Sequence, residues 1–426
     1  MKNTAKKKHF IYIYIISFLL LLISAIFIYL FWHKEKPTIT QKSTIRKSIA
    51  LIEITSKENL SPERQIIRDF LTDQIDSFRI HGVTLDNLNT IFNVPDNIKK
   101  QLELMHIQII DQKIYFKSWG CEPYTQKFLA GIQKAIDKYK IKNIDFITYM
   151  SDGMHLTGDV KLDNLIQNIP VLHSNKDPAN PAERNFILIP DPHILEYNKW
   201  SHLYSSVKEA SSNNPWHSKI GKIMWRGATT GKIAGTNIED YNIDTYSSLP
   251  RLSLVMMSLS FPNKIDARFT KFCQISQNDK GEKLFKVFEI LFGPTPVLPE
   301  VDHLKYKYLI SIDGNAAAWV RPVWIMASNS VLLFQHRYIQ WFYSAMKPWV
   351  HFVPLKEDIS DIFEKLEWLK THDKEAKQIS KNANKLVESA LLPDHVIEDL
   401  AFVLNEYASI QKFELKQPTL PEYILE

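Results

Sequence analysis

Short apolar segments separated by helical stretches recur along most of the chain, and this alternation restricts the folds that the chain can adopt. Strands separated by helices favour parallel sheets that are covered on both faces. The length of 426 residues suffices for two such sheets with a cleft between them, which predicts an α/β, two-domain architecture. The strand candidates are Ile144–Met150, Phe186–Pro190, Lys222–Trp225, Tyr308–Ile312, Val331–Gln335 and Val350–Pro354.

Helical periodicity and one hairpin complete this pattern. Ile107–Phe116 predicts two short paired strands around Asp111-Gln112, and Pro393 interrupts the helical run near the end of the chain. The periodic tail segments predict packing faces. The helix candidates are Gln65–Phe78, Tyr124–Lys140, Leu252–Leu259, Ala317–Ala327, Ile359–Leu369, Lys374–Leu391 and Val396–Gln411.

The segment Phe10 to Trp32 contains 23 residues without a charge, which is enough for a helix to span a bilayer core of roughly 30 Å. A cleaved signal peptide is the alternative, but its apolar part is usually shorter and ends in small residues, whereas His33-Lys34-Glu35-Lys36 follows here. We therefore predict a basic tail at residues 1–9, a transmembrane helix at residues 10–32 and a stalk at residues 33–62.

Charge and cysteine content restrict partners and location. The net charge of +5 is small and is not gathered into one basic run, so nucleic acid is not an implied partner. Lysines and arginines flank the apolar run on both sides and leave its orientation open. Two cysteines, Cys121 and Cys273, are few for a secreted domain and favour a cytosol-facing one.

Polar residues that directly follow an apolar strand are candidates for chemistry, because ligands of open parallel sheets bind beyond the carboxyl ends of the strands. The first candidate is Asp152, which follows Ile144–Met150 and precedes Gly153. A carboxylate there can take a proton from an acceptor hydroxyl. The alternative is that Asp152 only stabilises a turn.

The second candidate is the small-residue loop Arg226-Gly227-Ala228-Thr229-Thr230-Gly231 after a strand, where backbone N–H groups and a guanidinium suit a diphosphate. An ordinary strand end is the alternative.

The third candidate combines Arg251, before a helix, with Asn263–Arg268, in which Asp266 can accept from a ribose or a base. An ordinary turn with Asp266 paired to Lys264 or Arg268 remains open.

The fourth candidate is the strand and turn Lys305–Arg321. We expect a helix to begin near Ala317, so that Asp313, Gly314 and Asn315 lie at a helix N-terminus suited to an anion, with Arg321 one turn inside. A tightly packed strand-to-helix turn is the alternative. The small side chains that would admit a ligand to the backbone are Ala316, Ala317 and Ala318.

Metal chemistry has little support in the sequence. The fourteen histidines are scattered, no H-E-x-x-H motif occurs, and the two cysteines are far apart. We predict that no metal is required.

In order along the chain, these segments resemble glycosyltransferase family 90. The matching residues are Trp225-Arg226-Gly227, Arg251, Ile265-Asp266-Ala267, Lys305–Leu309 with Asp313-Gly314-Asn315, and the tract Ile339–Pro354, which is the most specific. The resemblance extends from about Asn143 to Glu406 and is strongest from Trp225 onward.

The resemblance implies a GT-B fold of two Rossmann-like domains, an inverting reaction without metal, and a UDP-sugar as co-substrate. We assign residues 63–200 to the acceptor-side domain, residues 201–395 to the donor domain, and residues 396–426 to a C-terminal helix and tail. By matching position, Asp152 would be the general base. Gly227 and Ala228 would lie near the phosphates, Arg251 would contact the diphosphate, Asp266 would lie by the uridine, and the segment Gly314–Arg321 would close the other side.

Two departures from the family pattern bear on activity. Val320 intervenes between Trp319 and Arg321, and Ala228 replaces a serine that relatives often carry.

The expected function is transfer of a hexose or pentose from a UDP-sugar to a hydroxyl of a glycan, lipopolysaccharide or protein. The catalytic domain would face the cytosol in a bacterium and the secretory lumen in a eukaryote. A catalytically inactive, membrane-tethered binding module is the alternative. A glycoside hydrolase would need a second acid that the sequence does not identify.

Overall fold

Two five-stranded sheets form the framework of the computed structural model, which describes residues 60–120, 122–149, 169–231, 241–246 and 249–424. The predicted basic tail, the transmembrane helix at 10–32, nearly all of the stalk, and Asp152 lie outside the described residues. No helix within the described ranges is long and apolar enough to cross a bilayer.

The first sheet has the strand order β2-β1-β3-β4-β5 and is mixed. Strand β1 pairs antiparallel with both β2 and β3, whereas β3, β4 and β5 are parallel. The predicted hairpin is confirmed, with Asp111 and Gln112 both at positive φ in its turn. The prediction of a parallel sheet holds for β3, β4 and β5 and is wrong for β1, which pairs antiparallel with β3. Its strands are β1 Leu104–Ile110, β2 Lys113–Ser118, β3 Ile144–Tyr149, β4 Val171–His173 and β5 Phe186–Leu188.

The second sheet has the order β10-β9-β8-β6-β7 and is parallel throughout. Alternate residues along its strands face two different cores: Met224 and Leu309 pack toward the first sheet, while Ile223 and Tyr308 pack on the other side. Its strands are β6 Ile220–Ala228, β7 Ile265–Lys271, β8 Tyr306–Ile312, β9 Val331–Gln335 and β10 Val353–Pro354.

Helices connect the strands and cover the sheets, and each of the seven predicted helix segments overlaps one of them, whereas the long helices Tyr197–Asn213 and Asp279–Phe292 were not predicted. Ser61 caps the first helix by accepting a hydrogen bond from the Arg64 N–H, and a proline opens the last one. The helices are α1 Pro62–Asp76, α2 Leu85–Phe92, α3 Asp96–Gln101, α4 Glu122–Lys138, α5 Pro192–Leu195, α6 Tyr197–Asn213, α7 Pro250–Ser260, α8 Asp279–Phe292, α9 Glu300–His303, α10 Arg321–Ala327, α11 Ile362–Thr371, α12 Asp373–Ala390 and α13 Pro393–Ile410.

The last helix, α13, returns to the beginning of the folded region. It packs against α1, α4 and β3, and its buried side chains belong to the same hydrophobic core as the first sheet. Arg64 and Arg68 of α1 form ion pairs with Glu398 and Asp399 of α13 at 2.7 and 2.9 Å. The beginning and the end of the described chain therefore stabilise each other.

Candidate functional site

The loops that follow β6 and β8 meet at the carboxyl edge of the second sheet, and Arg251 of α7 joins them. Its guanidinium donates to the carbonyl oxygens of Ala228 (3.2 Å), Ile312 (3.1 Å) and Asp313 (3.1 Å). It also donates to the hydroxyl of Thr230. Arg251 thus fixes both loops in one arrangement, and a planar group with several donors is needed for four such acceptors.

Gly314 is required where the two loops approach each other. A Cβ atom at this position would lie 2.8 Å from Nη2 of Arg251 and 3.0 Å from Oγ1 of Thr230. Next to it, the amide oxygen of Asn315 accepts from the backbone N–H of Gly231 at 3.1 Å. The predicted residues Ala228, Arg251, Asp313, Gly314 and Asn315 are therefore brought together.

Asp313 points into the protein instead of toward solvent. Its carboxylate accepts backbone N–H groups from Ala318 (3.2 Å), Arg337 (2.9 Å) and Tyr338 (3.1 Å). Burial raises the pKa of Asp313 to about 7, although these donors oppose the shift. The side chain of Asp313 organises the loops after β8 and β9, and its hydrogen-bonding capacity is largely used within the protein.

The expected helix start near Ala317 is wrong, because α10 begins at Arg321. Trp319 adopts a positive φ of 48°, which a helix cannot include, and Pro322 follows at a position typical of a helix start. Ala316 and Ala317 therefore lie in an irregular segment, where their backbone N–H groups donate to no described residue. Arg321 lies at the first helical position and not one turn inside.

Arg321 is a cation without an ion pair to any described carboxylate. Its Nη2 donates to the backbone oxygen of Arg226 at 2.9 Å, and burial lowers the pKa of Arg321 to about 10, although the negative charge of Glu300 opposes this shift. Burying a guanidinium that forms no ion pair with a carboxylate costs free energy, and a bound anion would offset that cost. This is the strongest electrostatic indication of an anion site on the described residues.

Arg226 and Asp266 form a separate cluster. Arg226 Nη2 pairs with the Asp266 carboxylate at 2.9 Å, and the Tyr306 hydroxyl donates to the same carboxylate at 2.6 Å. Asp266 lies near the start of β7, opposite Met224, about 13 Å along the strand from Ala228. The structure therefore does not bring Asp266 to the Arg251 cluster. Of the alternative partners, Arg268 lies 4.0 Å from the Asp266 carboxylate, farther than Arg226, and Lys264 pairs with Glu367 instead.

Gly227 is explained by packing within its own strand. A Cβ atom there would lie 2.5 Å from Cζ2 of Trp225. The indole of Trp225 also lies under the guanidinium of Arg251, 5.7 Å from the ring centroid. Trp225 of the Trp-Arg-Gly motif thus packs its indole ring against the guanidinium of Arg251.

The sequence prediction did not include an aromatic cluster beside these loops. Trp319 is 37% exposed and stacks on His193 with a centroid distance of 4.1 Å, and Tyr124 contacts both rings. His193 is fixed by Asp191, which accepts from its backbone N–H at 2.8 Å. Asp191 lies three positions after the end of β5, as Asp152 does after β3, so polar residues that follow a strand also indicate this region.

The carboxyl edges of the two sheets contact each other. Lys176 and Ile339 exchange backbone hydrogen bonds at 3.1 and 2.9 Å, and Arg337 forms an ion pair with the buried carboxylate of Asp177. Lys176 and Asp177 follow β4, whereas Arg337 and Ile339 follow β9. The loops at the carboxyl edge of the second sheet therefore lie against those of the first sheet.

Two earlier expectations stay predictions at this point. Asp152 lies outside the described residues, three positions after the end of β3. The described part of the chain holds no group of three His, Cys, Asp or Glu side chains that could bind a metal. The metal requirement and the role of Asp152 therefore remain predictions.

Comparison with known proteins connects these features to one family. The model of glycosyl transferase family 90 matches residues 77–425. The chain is 33% identical over 319 residues to protein O-glucosyltransferase 2 of Danio rerio, covering 73% of this chain and 57% of that protein. It is 31% identical over 172 residues to human protein O-glucosyltransferase 3, covering 40% of this chain and 31% of the relative.

Human protein O-glucosyltransferase 1 is 24% identical over 220 residues, covering 51% of this chain and 49% of that protein. The chain thus spans between about a third and three fifths of these relatives. The family match covers most of the chain and includes both sheets and the Arg251 loops. The chain belongs to glycosyl transferase family 90.

Proposed function

We propose that the protein is a membrane-anchored, inverting glycosyltransferase that moves a sugar from a UDP-sugar to an acceptor hydroxyl. The observation that carries the proposal is the anion site at the carboxyl edge of the second sheet, where Arg321 lacks an ion pair among the described residues. Family membership supports glycosyl transfer. Residues 10–32 would supply the anchor, and the two sheets would correspond to the two domains of a GT-B enzyme.

The donor diphosphate would lie against Arg321 and the N–H groups of Ala316 and Ala317. Arg251 would act mainly by holding the two loops in place, since its four hydrogen bonds are made to protein oxygens. UDP-glucose is the first donor to test, because the relatives named above are O-glucosyltransferases. Gly227, Ala228, Gly314 and Asn315 would shape the loops around the phosphates.

The proposed reaction is a single displacement. Asp152 would accept the proton of the acceptor hydroxyl, whose oxygen attacks the anomeric carbon of the sugar. A bond forms between that oxygen and the anomeric carbon, the bond from the same carbon to the phosphate oxygen breaks, and UDP leaves with the electron pair. The positive charge of Arg321 would stabilise the departing diphosphate, so that no metal is needed.

The acceptor would approach from the side of the first sheet. The exposed face of Trp319, stacked on His193, offers an apolar surface next to Arg321. The acceptor would be a protein, glycan or lipopolysaccharide hydroxyl. A cytosolic orientation would apply in a bacterium and a luminal one in a eukaryote.

The deciding experiment uses the full-length protein in detergent with radiolabelled UDP-glucose and a panel of peptide and glycan acceptors. Asp152→Asn should abolish transfer while UDP binding remains, because a base acts on the reaction and not on donor affinity. Asp159→Asn is a matched control in the same segment and should retain transfer. Unchanged turnover in Asp152→Asn would exclude Asp152 as the base.

A non-catalytic binding module is the second candidate, favoured by Val320 before Arg321 and by Ala228. The structure weakens the argument from Ala228, since Thr230 supplies a hydroxyl to Arg251 two residues later. If UDP binds and no labelled acceptor forms with any UDP-sugar, this second function replaces the first.

A further inference from the structure

A second polar and aromatic cavity lies where helices α11 and α12 meet the turn before β10. Its volume is about 510 Å³, within the range of small-molecule sites. One side is formed by the indole rings of Trp349 and Trp368. Ile379 adds an apolar side chain, and hydrogen-bonding groups complete the lining, namely the carboxylates of Glu364 and Glu375 and the amides of Gln378 and Asn382.

This cavity is separate from the Arg251 loops. The helix ends beside it contact the beginning of β8: the Tyr308 hydroxyl donates to the carbonyl oxygen of Leu369 at 3.3 Å, and Lys307 pairs with Asp373 at 2.6 Å. The Arg251 loops follow the other end of the same strand. The cavity therefore lies toward the amino edge of the second sheet, opposite the proposed transfer site.

The two tryptophans are held at a fixed angle. Their ring centroids are 4.7 Å apart with an interplanar angle of 70°. His372 stacks on Trp368 at 4.7 Å and supports that ring. Trp349 is 40% exposed, and its backbone N–H bonds to the carbonyl oxygen of Phe352 at 2.7 Å, which closes the turn that presents the ring. Rigid, partly exposed indole faces bind flat apolar surfaces with little loss of side-chain entropy.

The charges around the cavity select among ligands. Two carboxylates disfavour an anion. A cation is already present, because Lys365 pairs with Glu364 at 3.1 Å and lies 5.4 Å from the ring centroid of Trp349. A ligand cation would have to compete with this lysine. Carboxylate and amide groups next to indole faces instead suit an uncharged molecule with many hydroxyl groups, because its C–H face packs on the rings while its hydroxyls form hydrogen bonds.

We propose that this cavity is a carbohydrate-binding site that holds an uncharged oligosaccharide by stacking on Trp349 and Trp368 and by hydrogen bonds to Glu375 and Gln378. The site is independent of the proposed transfer reaction and needs no UDP-sugar. In an enzyme that modifies glycans, this site would hold a glycan chain at a distance from its reacting end. The same glycan would then bind at two places, the cavity and the transfer site, which increases its overall affinity.

The test is saturation-transfer NMR on the full-length protein in a detergent without a sugar head group. Maltotriose, cellotriose and xylotriose serve as probes. At least one trisaccharide should bind saturably, and Trp349→Ala or Glu375→Ala should weaken it about tenfold or more. Trp349→Phe should retain most of the binding, because the aromatic face remains. Lys280→Ala, which removes an exposed lysine paired with Asp244 outside both sites, is the control and should leave trisaccharide binding unchanged.

Three results would overturn the proposal. These are that no trisaccharide binds saturably, that binding is unchanged in both Trp349→Ala and Glu375→Ala, or that choline binds at the tryptophans in place of every trisaccharide. Glu375 is exposed on α12, so its variant tests the site even if Trp349→Ala unfolds the protein. UDP binding, measured separately on the same samples, distinguishes failure of this site from failure of the transfer site.

Discussion

Arg251 donates a hydrogen bond from Nε to the backbone carbonyl oxygen of Asp313 at 3.1 Å, and this bond joins helix α7 to the end of strand β8. The same guanidinium reaches Ala228 and Thr230 after β6. One side chain therefore determines the spacing of the two loops between which the proposed diphosphate would lie. Its role is geometric as well as electrostatic.

We expect Arg251→Lys to bind UDP nearly as weakly as Arg251→Ala, because one ammonium group cannot serve four acceptors in the plane that a guanidinium occupies. The loss should be about 1.5–3 kcal/mol, measured by isothermal titration of UDP. Lys280→Ala, which removes an exposed lysine paired with Asp244, is the charge-matched control. Wild-type affinity in Arg251→Lys would show that positive charge suffices and the loop contacts do not matter.

Arg321→Met should have opposite effects on stability and on binding. Methionine has similar reach, fills the same space and removes a desolvated charge without an ion pair, so the free energy of unfolding without ligand should rise by about 1–2 kcal/mol. UDP affinity should fall at least tenfold. Urea denaturation with and without UDP measures both quantities. Lower stability combined with full UDP affinity would contradict the assignment of Arg321 as the phosphate ligand.

The contact between Asp177 and Arg337 should couple the two sheets. Because the Asp177 carboxylate is buried, removing either partner leaves an uncompensated polar group. A double-mutant cycle with Asp177→Asn and Arg337→Gln should give a coupling of roughly 1–3 kcal/mol in the free energy of unfolding. The exposed pair Lys286 and Glu282 should give less than about 0.5 kcal/mol. An equal coupling energy in both pairs would show that the ion pair between the sheets contributes no more to stability than an exposed pair does.

His303 should make the protein less stable in mild acid. Burial lowers the pKa of His303 from 6.5 to about 4, and the positive charges of Arg321 and Arg226 add to this shift. Between these pH values the unfolded chain binds more protons than the folded one, so the free energy of unfolding falls as pH decreases from 6.5 to about 4, in total by about 3 kcal/mol.

His303→Gln should remove this part of the pH dependence, measured by urea denaturation at several pH values. His217→Gln, at an exposed position, should not change it. The same pH slope in His303→Gln and wild type would show that His303 does not carry the effect.

The sequence predicts most strands of the second sheet because they are buried apolar runs, and β9 matches its predicted bounds of Val331–Gln335. Strand β7 was missed although Ile265, Ala267 and Phe269 alternate with polar residues in the way that a strand requires. Without this strand, the sequence analysis leaves Asp266 either as a ligand of a ribose or base or as part of an ordinary turn.

Other parts of the site could not be read from local sequence. The left-handed conformation of Trp319 depends on the stacking partner His193, which belongs to a distant segment. The pairing of Asp177 with Arg337 likewise depends on how the two sheets meet. Local patterns report whether a residue faces the core, whereas these contacts are decided by tertiary packing.

The return of α13 to α1 has a consequence for synthesis. The core around the first sheet includes side chains from the last helix, such as Phe402 and Tyr407, so that core stays incomplete until the end of the chain has left the ribosome. The amino-terminal half must remain open during translation of everything that follows it. A premature stop before Pro393 would expose this apolar surface permanently, and truncated chains should aggregate instead of forming a smaller, working enzyme.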